Sequence, residues 1–92
     1  MMAICLEYEL VEIRGTTAVY RFGPCGQPLD GIFVTDLSAC VHGELAEDTP
    51  MSKVVRLMND KQTQAMANRV FSKIYRHFRE SHEYPAKGGY YA

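Results

Sequence analysis

An apolar stripe near the C-terminal end places the strongest constraint on how this chain can fold. On a helical wheel, five apolar side chains form one stripe, in which four lie within about 60° of Ala67. They are Ala67, Val70, Phe71, Ile74 and Phe78. A helix with one apolar side must bury that side against another element. We therefore predict a helix over about residues 60–82, capped by Asn59 or Asp60 and ended before Pro85, which cannot continue a helix.

Alternating apolar and polar residues in the first part of the chain predict the sheet that this helix covers. Residues 3–13 alternate with the period of a half-buried strand, and a change of phase at Leu10 and Val11 indicates a bulge. Tyr8 lies on the apolar side of this strand, and it and Tyr20 of the next strand are predicted to be core residues or to form a cross-strand pair. Gly15 supplies the turn between the two strands.

The middle of the chain carries mixed signals. A loop rich in proline and glycine at residues 23–28 separates the second strand, at 17–22, from a third predicted strand at 32–36. Residues 49–58 fit both a helix with Pro50 in its first turn and an edge strand. The strand interpretation is favoured slightly, because three strands and one helix would leave the sheet short.

The overall pattern predicts one domain over residues 1–92. The chain has 92 residues, of which 47% are hydrophobic and 23% charged, as in ordinary globular domains. Because strands come first and the long helix last, the predicted fold is α+β: an antiparallel sheet of three to four strands within residues 3–58, packed by one long C-terminal helix. The tail at 83–92 either docks on the domain or frays. No apolar run approaches the roughly 18 residues of a helical membrane span, so we expect a cytoplasmic protein without membrane contact.

The three cysteines fit a cytoplasmic protein. Cys5, Cys25 and Cys40 are an odd number and form no CxxC pair, whereas small secreted domains more often carry four, six or eight cysteines. The expectation is three reduced thiols, with an intermolecular disulfide as the alternative. Cys25 follows a Gly-Pro pair in a loop and is the thiol expected to be most exposed. Its reactivity is left open.

No recognisable catalytic, metal or cofactor motif stands out. A cysteine nucleophile needs a base and a group that orients the base, and neither Cys25 nor Cys40 lies in such a signature. Cys40 and His42 form half of a zinc site, but no second close pair of ligands completes it. No loop has the spacing of a phosphate-binding motif. We therefore expect no enzymatic activity, no cofactor and no metal.

Charge is distributed unevenly along the chain. Residues 1–48 carry eight acidic and two basic side chains, and residues 49–92 carry eight basic and three acidic ones. Part of the basic excess falls on the helix, opposite the apolar stripe. Its members are Arg69, Lys73 and Arg76, flanked by Arg79. Acidic residues such as Glu7 and Glu9 lie on the polar side of the first strand, and others cluster at residues 44–48.

This charge pattern suits electrostatic recognition of a partner. The sequence predicts a small, non-enzymatic protein-binding domain of the inhibitor, immunity or accessory type, with another protein as its partner. The predicted partner-binding residues are Arg69, Lys73, Arg76, Arg79, Tyr90 and Tyr91, the last two because terminal aromatic residues are common at interfaces. Nucleic-acid binding through the same basic face is the second hypothesis, and a cysteine-dependent enzyme is the third. Self-association and a merely solvated basic face remain alternatives.

Overall fold

The computed structural model describes residues 4–37 and 54–91 of the chain. In this part of the chain, five strands form one antiparallel sheet in the order β4-β3-β2-β1-β5, and one helix packs against it. The elements are β1 (Cys5–Arg14), β2 (Thr17–Pro24), β3 (Gly31–Thr35), β4 (Arg56–Leu57), α1 (Gln64–Ser81) and β5 (Lys87–Tyr91). The predicted α+β class, the antiparallel sheet and the C-terminal helix are confirmed, while the sheet has five strands instead of three to four.

Strands β1 and β2 form a hairpin that turns at Gly15. This residue has a φ of 62°, a left-handed conformation that glycine adopts without steric cost. The register between the two strands shifts between Leu10 and Glu12, so that Val11 is the extra residue of a bulge. The bulge predicted from the change of apolar phase is therefore confirmed.

Strands β3 and β4 extend the sheet beyond β2. The third strand is confirmed one residue earlier than predicted, because Gly31 already pairs with Phe22 of β2. In β4, Leu57 and Arg56 pair with consecutive residues of β3. The strand interpretation of residues 49–58 holds for these two residues, whereas Val54 is helical, and residues 49–53 lie outside the described part of the chain.

Helix α1 begins at Gln64, later than predicted, because Thr63 caps it. The Thr63 hydroxyl oxygen accepts a hydrogen bond from the Met66 backbone N–H at 3.2 Å, which satisfies one of the free donors in the first turn. Asn59, one of the predicted caps, instead donates its side-chain amide to the Asp30 carbonyl at 2.9 Å. The Asn59 side chain therefore bonds to the residue that precedes β3 and does not cap the helix.

The apolar stripe is the side of α1 that faces the sheet, as predicted. Four of its members are buried, and Phe78 is partly buried and packs against the same core. The helix ends where His82 takes a left-handed φ of 60° and donates its N–H to the Phe78 carbonyl at 2.7 Å. The sheet contributes the other half of the core, centred on Tyr8, Tyr20 and Phe33.

Two tyrosine hydroxyls fasten the segment between α1 and β5 to the sheet. Buried Tyr20 donates to the Pro85 carbonyl at 2.7 Å. Tyr84 donates to the Thr16 carbonyl at 2.6 Å and accepts from the Leu37 N–H at 3.1 Å. These hydrogen bonds hold the segment after the helix against the sheet, so that the chain can continue as strand β5.

The tail is docked, and it forms the edge strand β5. It runs antiparallel to β1 from the Glu9–Lys87 pair to the Cys5–Tyr91 pair. Its residues alternate between the helix side of the sheet and the opposite side, which we call the open face. Tyr90 pairs with buried Leu6 and therefore lies on the helix side.

The prediction of three free thiols is wrong. Cys5 and Cys25 form a disulfide, with Cα atoms 5.4 Å apart, that joins the start of β1 to the end of β2. The backbone supports this pairing, because the Cys25 N–H donates to the Cys5 carbonyl at 3.0 Å. Cys25 is therefore not the exposed, free thiol expected from its loop position. Cys40 lies outside the described residues.

Candidate partner-binding surface

Four cationic side chains follow the length of α1 on the side away from the core. Arg69, Arg76 and Arg79 are exposed, and Lys73 is half-buried. They share one side of the helix because their spacing repeats at three, four and seven residues, close to the helical period. Together with Tyr90 they form what we call the cationic surface.

Tyr90 joins the cationic surface to the edge of the sheet. It is half-buried and packs against the core beneath the helix. The guanidinium carbon of Arg69 lies 6.0 Å from the centre of its ring, and the Lys73 Nζ lies 5.8 Å from the same point. A cation over an aromatic face gains about 0.5–1 kcal/mol at an exposed site. Two of the four cations therefore lie beside β5, where they are weakly attracted to the Tyr90 ring.

Near the C-terminal end of α1, the cationic surface again has a cation close to an aromatic ring. The Arg79 guanidinium carbon lies 5.8 Å from the centre of the Tyr75 ring, and Tyr75 stacks on Phe71 at the same centroid distance. Arg76 forms an ion pair with Glu80 at 3.6 Å, with both side chains more than 70% exposed. An exposed pair of this kind contributes little to stability. An open depression of about 500 Å³ lies over these side chains.

Most of the positive charge on this surface has no acidic partner in the described part of the chain. Within residues 4–37 and 54–91, no carboxylate forms an ion pair with Arg69, Lys73 or Arg79. A row of uncompensated cations produces a positive potential that attracts anionic groups. The positive potential of the cationic surface would therefore attract an acidic ligand.

The acidic residues of β1 are partly neutralised within the sheet. Glu9 forms an ion pair with Arg21 of β2, and Glu12 pairs with Arg14 at 2.9 Å. Glu7 and Glu9 lie on the open face, as their alternation with buried residues predicts. The acidic cluster at residues 44–48 lies outside the described part of the chain.

The structure separates the two predicted tyrosines. Successive residues of a strand point to opposite sides of the sheet, so Tyr90 lies under the helix while Tyr91 lies on the open face. Tyr91 pairs with Cys5 and is 69% exposed. Five of the six predicted partner-binding residues are thus on one surface, and Tyr91 is not among them.

Sequence reasoning did not predict that residues 87–91 form an edge strand of the sheet. The signal was present in the two consecutive tyrosines, since aromatic residues are enriched in strands. Gly88 and Gly89 masked it, because glycine is depleted in strands and two together resemble a flexible tail.

Among the described residues, no group of three or more histidine, cysteine, aspartate or glutamate side chains is placed to hold a metal ion. His77 and His82, which the sequence places on α1 and at its end, both lie exposed at the surface. Cys40 and His42, the predicted half of a zinc site, lie outside the described residues.

No protein-family model matches this sequence, and the comparisons with curated proteins and with solved structures found no match. In the part of the chain that the structure describes, no helix is both long enough and apolar enough to cross a membrane.

Proposed function

We propose that this chain is a small, non-enzymatic protein-binding domain, of the inhibitor, immunity or accessory type, that recognises an acidic region of another protein with its cationic surface. The observation that carries the proposal is the placement of Arg69 and Lys73 over the ring of Tyr90. Tyrosine and arginine are enriched among the residues that dominate binding energy at protein interfaces. Side chains held in place before binding lose less conformational entropy when the partner arrives.

Nucleic-acid binding is the second candidate function, because the same cations would attract phosphate groups. The overall charge gives it less support. The formal net charge is −1, whereas domains that bind nucleic acids in this way are usually basic. The third hypothesis, an enzyme built on Cys25 or Cys40, loses Cys25 as a nucleophile because Cys25 is bonded to Cys5, and Cys40 lies outside the described residues.

Nucleic-acid binding at physiological salt, compared between the unmodified protein and a charge-reversal variant, separates the first two functions. The variant combines Arg69→Glu with Lys73→Glu, and the control for position is Arg56→Glu, which reverses one exposed cation on β4 at the other edge of the sheet. We expect a mixed-sequence duplex and a single strand to bind the unmodified protein only weakly at physiological salt. Submicromolar binding that the double variant abolishes and Arg56→Glu retains would overturn the protein-binding proposal.

The positive arm of the test is affinity capture of proteins from cells that make this chain. We expect the unmodified protein and Arg56→Glu to retain the same acidic partner, and the double variant to lose it. Purified partner should then bind with an affinity that falls at least about tenfold in the double variant, equivalent to about 1.4 kcal/mol. Melting curves of all three proteins establish that the variants are folded. Equal binding by the double variant contradicts the proposal.

The sequence predicts a cytoplasmic location, and the Cys5–Cys25 disulfide argues against it and provides its test. Disulfides persist in oxidising compartments and are rare in the reducing cytosol. Alkylation of thiols in intact cells, before lysis, should label both cysteines if the protein is cytoplasmic. Protection of both from alkylation would instead place the protein in an oxidising compartment.

A further inference from the structure

The outer edge of β5, with which no other strand pairs in the described part of the chain, lies beside the cationic surface. In an antiparallel pair, residues alternate between those that exchange backbone hydrogen bonds with the neighbouring strand and those whose N–H and C=O point away. The Leu10 N–H donates to the Ala86 carbonyl at 2.7 Å, which fixes this alternation for the whole β1–β5 ladder. Gly88 and Tyr90 therefore bond to β1.

The three remaining residues of β5 direct their backbone groups away from β1. They are Lys87, Gly89 and Tyr91, and none is a proline, so each has both an N–H and a C=O. Among the described residues, β5 is the terminal strand of the sheet on this side. A row of free backbone donors and acceptors of this kind is a template for one more strand.

The side chains around this edge determine what kind of strand fits. A strand added to β5 would lie about 4.8 Å beyond it, with residues opposite Gly88 and Tyr90 on the helix side. Arg69 and Lys73 lie over Tyr90 on that side, without an ion pair in the described part of the chain. Acidic side chains at alternate positions of the added strand would thus meet two cations.

The open face favours different side chains at the intervening positions. Tyr91 is 69% exposed there, and Glu7 lies one strand further in, opposite Gly89. An acidic residue on this side would approach Glu7, while a β-branched residue would pack beside the Tyr91 ring. The edge therefore suits a segment in which acidic and apolar residues alternate.

We propose that β5 binds an extended acidic segment of the partner protein as a sixth strand of the sheet, with its carboxylates against Arg69 and Lys73. This inference rests on the proposed protein-binding function and names the chemistry of the partner. A second copy of the chain fits less well. Pairing of two β5 strands would bring the Arg69 and Lys73 side chains of both copies to one side of the joined sheet, and like charges in that arrangement repel.

The experiment uses a short capped peptide in which glutamate alternates with valine, at low salt. In antiparallel addition with the glutamates facing the helix, the valine N–H groups point to β5 and the glutamate N–H groups point away. We expect N-methylation of two valines to lower the affinity at least about tenfold, because two backbone hydrogen bonds are lost. N-methylation of two glutamates, the matched control, should change the affinity much less.

Hydrogen exchange measured by NMR gives a readout at single residues. On peptide binding, the amides of Lys87, Gly89 and Tyr91 should become protected, whereas those of Gly88 and Tyr90 are already bonded to β1. The variant with Arg69→Glu and Lys73→Glu should bind the peptide about tenfold more weakly, and Arg56→Glu should bind it normally. These results together would support strand addition.

Three outcomes would overturn it. Equal weakening by both methylation patterns, without new protection on β5, would mean that the acidic segment binds the cationic surface in another way. Absence of peptide binding, together with a captured partner that the double variant loses, would reject strand addition and leave the proposed function intact. Concentration-dependent protection of the same amides without peptide would identify a second copy as the occupant.

Discussion

At the scale of the residue, the hydroxyl of Tyr20 shows how one buried polar atom can hold a segment in place. It donates to the Pro85 carbonyl from within the core, and burial together with the nearby Tyr8 and Tyr84 hydroxyls raises its pKa above the ordinary value. The neutral hydroxyl is thus the form that the fold favours. Ionisation would place a negative charge in an apolar surrounding and remove the donated proton.

This environment predicts a specific dependence of stability on pH. Because the pKa of Tyr20 is higher in the folded state than the value of about 10 in the unfolded chain, the contribution is complete below pH 10 and is lost as the pH rises above it. The free energy of unfolding of Tyr20→Phe should therefore fall less steeply above about pH 10 than that of the unmodified protein. Urea titrations at several pH values measure both slopes.

The same variant should also be less stable at neutral pH, by about 1–3 kcal/mol, because the Pro85 carbonyl loses its buried donor. Tyr91→Phe is the matched control, since it removes a hydroxyl from a side chain that is 69% exposed. Equal alkaline slopes for the unmodified protein and Tyr20→Phe would show that the raised pKa does not contribute to stability.

At the scale of the element, β5 is a strand in which two adjacent glycines meet different surroundings. A Cβ added to Gly88 would lie 2.5 Å from the Tyr8 hydroxyl oxygen, and Tyr8 is only 6% exposed in the core. A Cβ added to Gly89 would meet the hydroxyl end of the Tyr91 side chain, which is free to swing into solvent. Gly88 is thus required for close packing of β5 over Tyr8, and Gly89 is not.

Two alanine substitutions test this difference directly. Gly88→Ala should lower the free energy of unfolding by about 1–3 kcal/mol, the usual cost of overpacking a rigid site. Gly89→Ala should stay within about 0.5 kcal/mol of the unmodified protein, as most surface substitutions do. Chemical denaturation of the two variants side by side provides the comparison. Equal losses would mean that β5 does not pack on Tyr8 as described.

At the scale of the whole molecule, the Cys5–Cys25 disulfide limits how far the unfolded chain can expand. The two cysteines are 20 residues apart, and closing a loop of this size removes conformational entropy from the unfolded state. Folded domains are stable by only about 5–15 kcal/mol, so a single cross-link is a large contribution for a chain of this length.

We expect the double variant Cys5→Ser with Cys25→Ser to be less stable than the oxidised protein by about 3 kcal/mol. Urea unfolding of both proteins measures the difference. Thiol titration in denaturant should find two fewer thiols in the oxidised protein than after full reduction. Equal thiol counts before and after reduction would contradict the disulfide.

The sequence by itself determined the elements that depend on local periodicity. The stripe on α1, the alternation in β1 and the glycine turn were readable because each repeats within a few residues, and so were the bulge and the basic face of the helix. The placement of cations opposite apolar residues follows directly from the helical period.

Tertiary structure decided the features that depend on register and on long-range contacts. Cys5 and Cys25 lie opposite each other only because the bulge at Val11 shifts the pairing by one residue, and without it Cys5 would face Gly26. Likewise β5 is a strand because the Tyr20 and Tyr84 hydroxyls hold the preceding segment and β1 offers free backbone groups. Neither the disulfide nor the docking of β5 leaves a pattern in the local sequence, because each joins residues far apart in the chain.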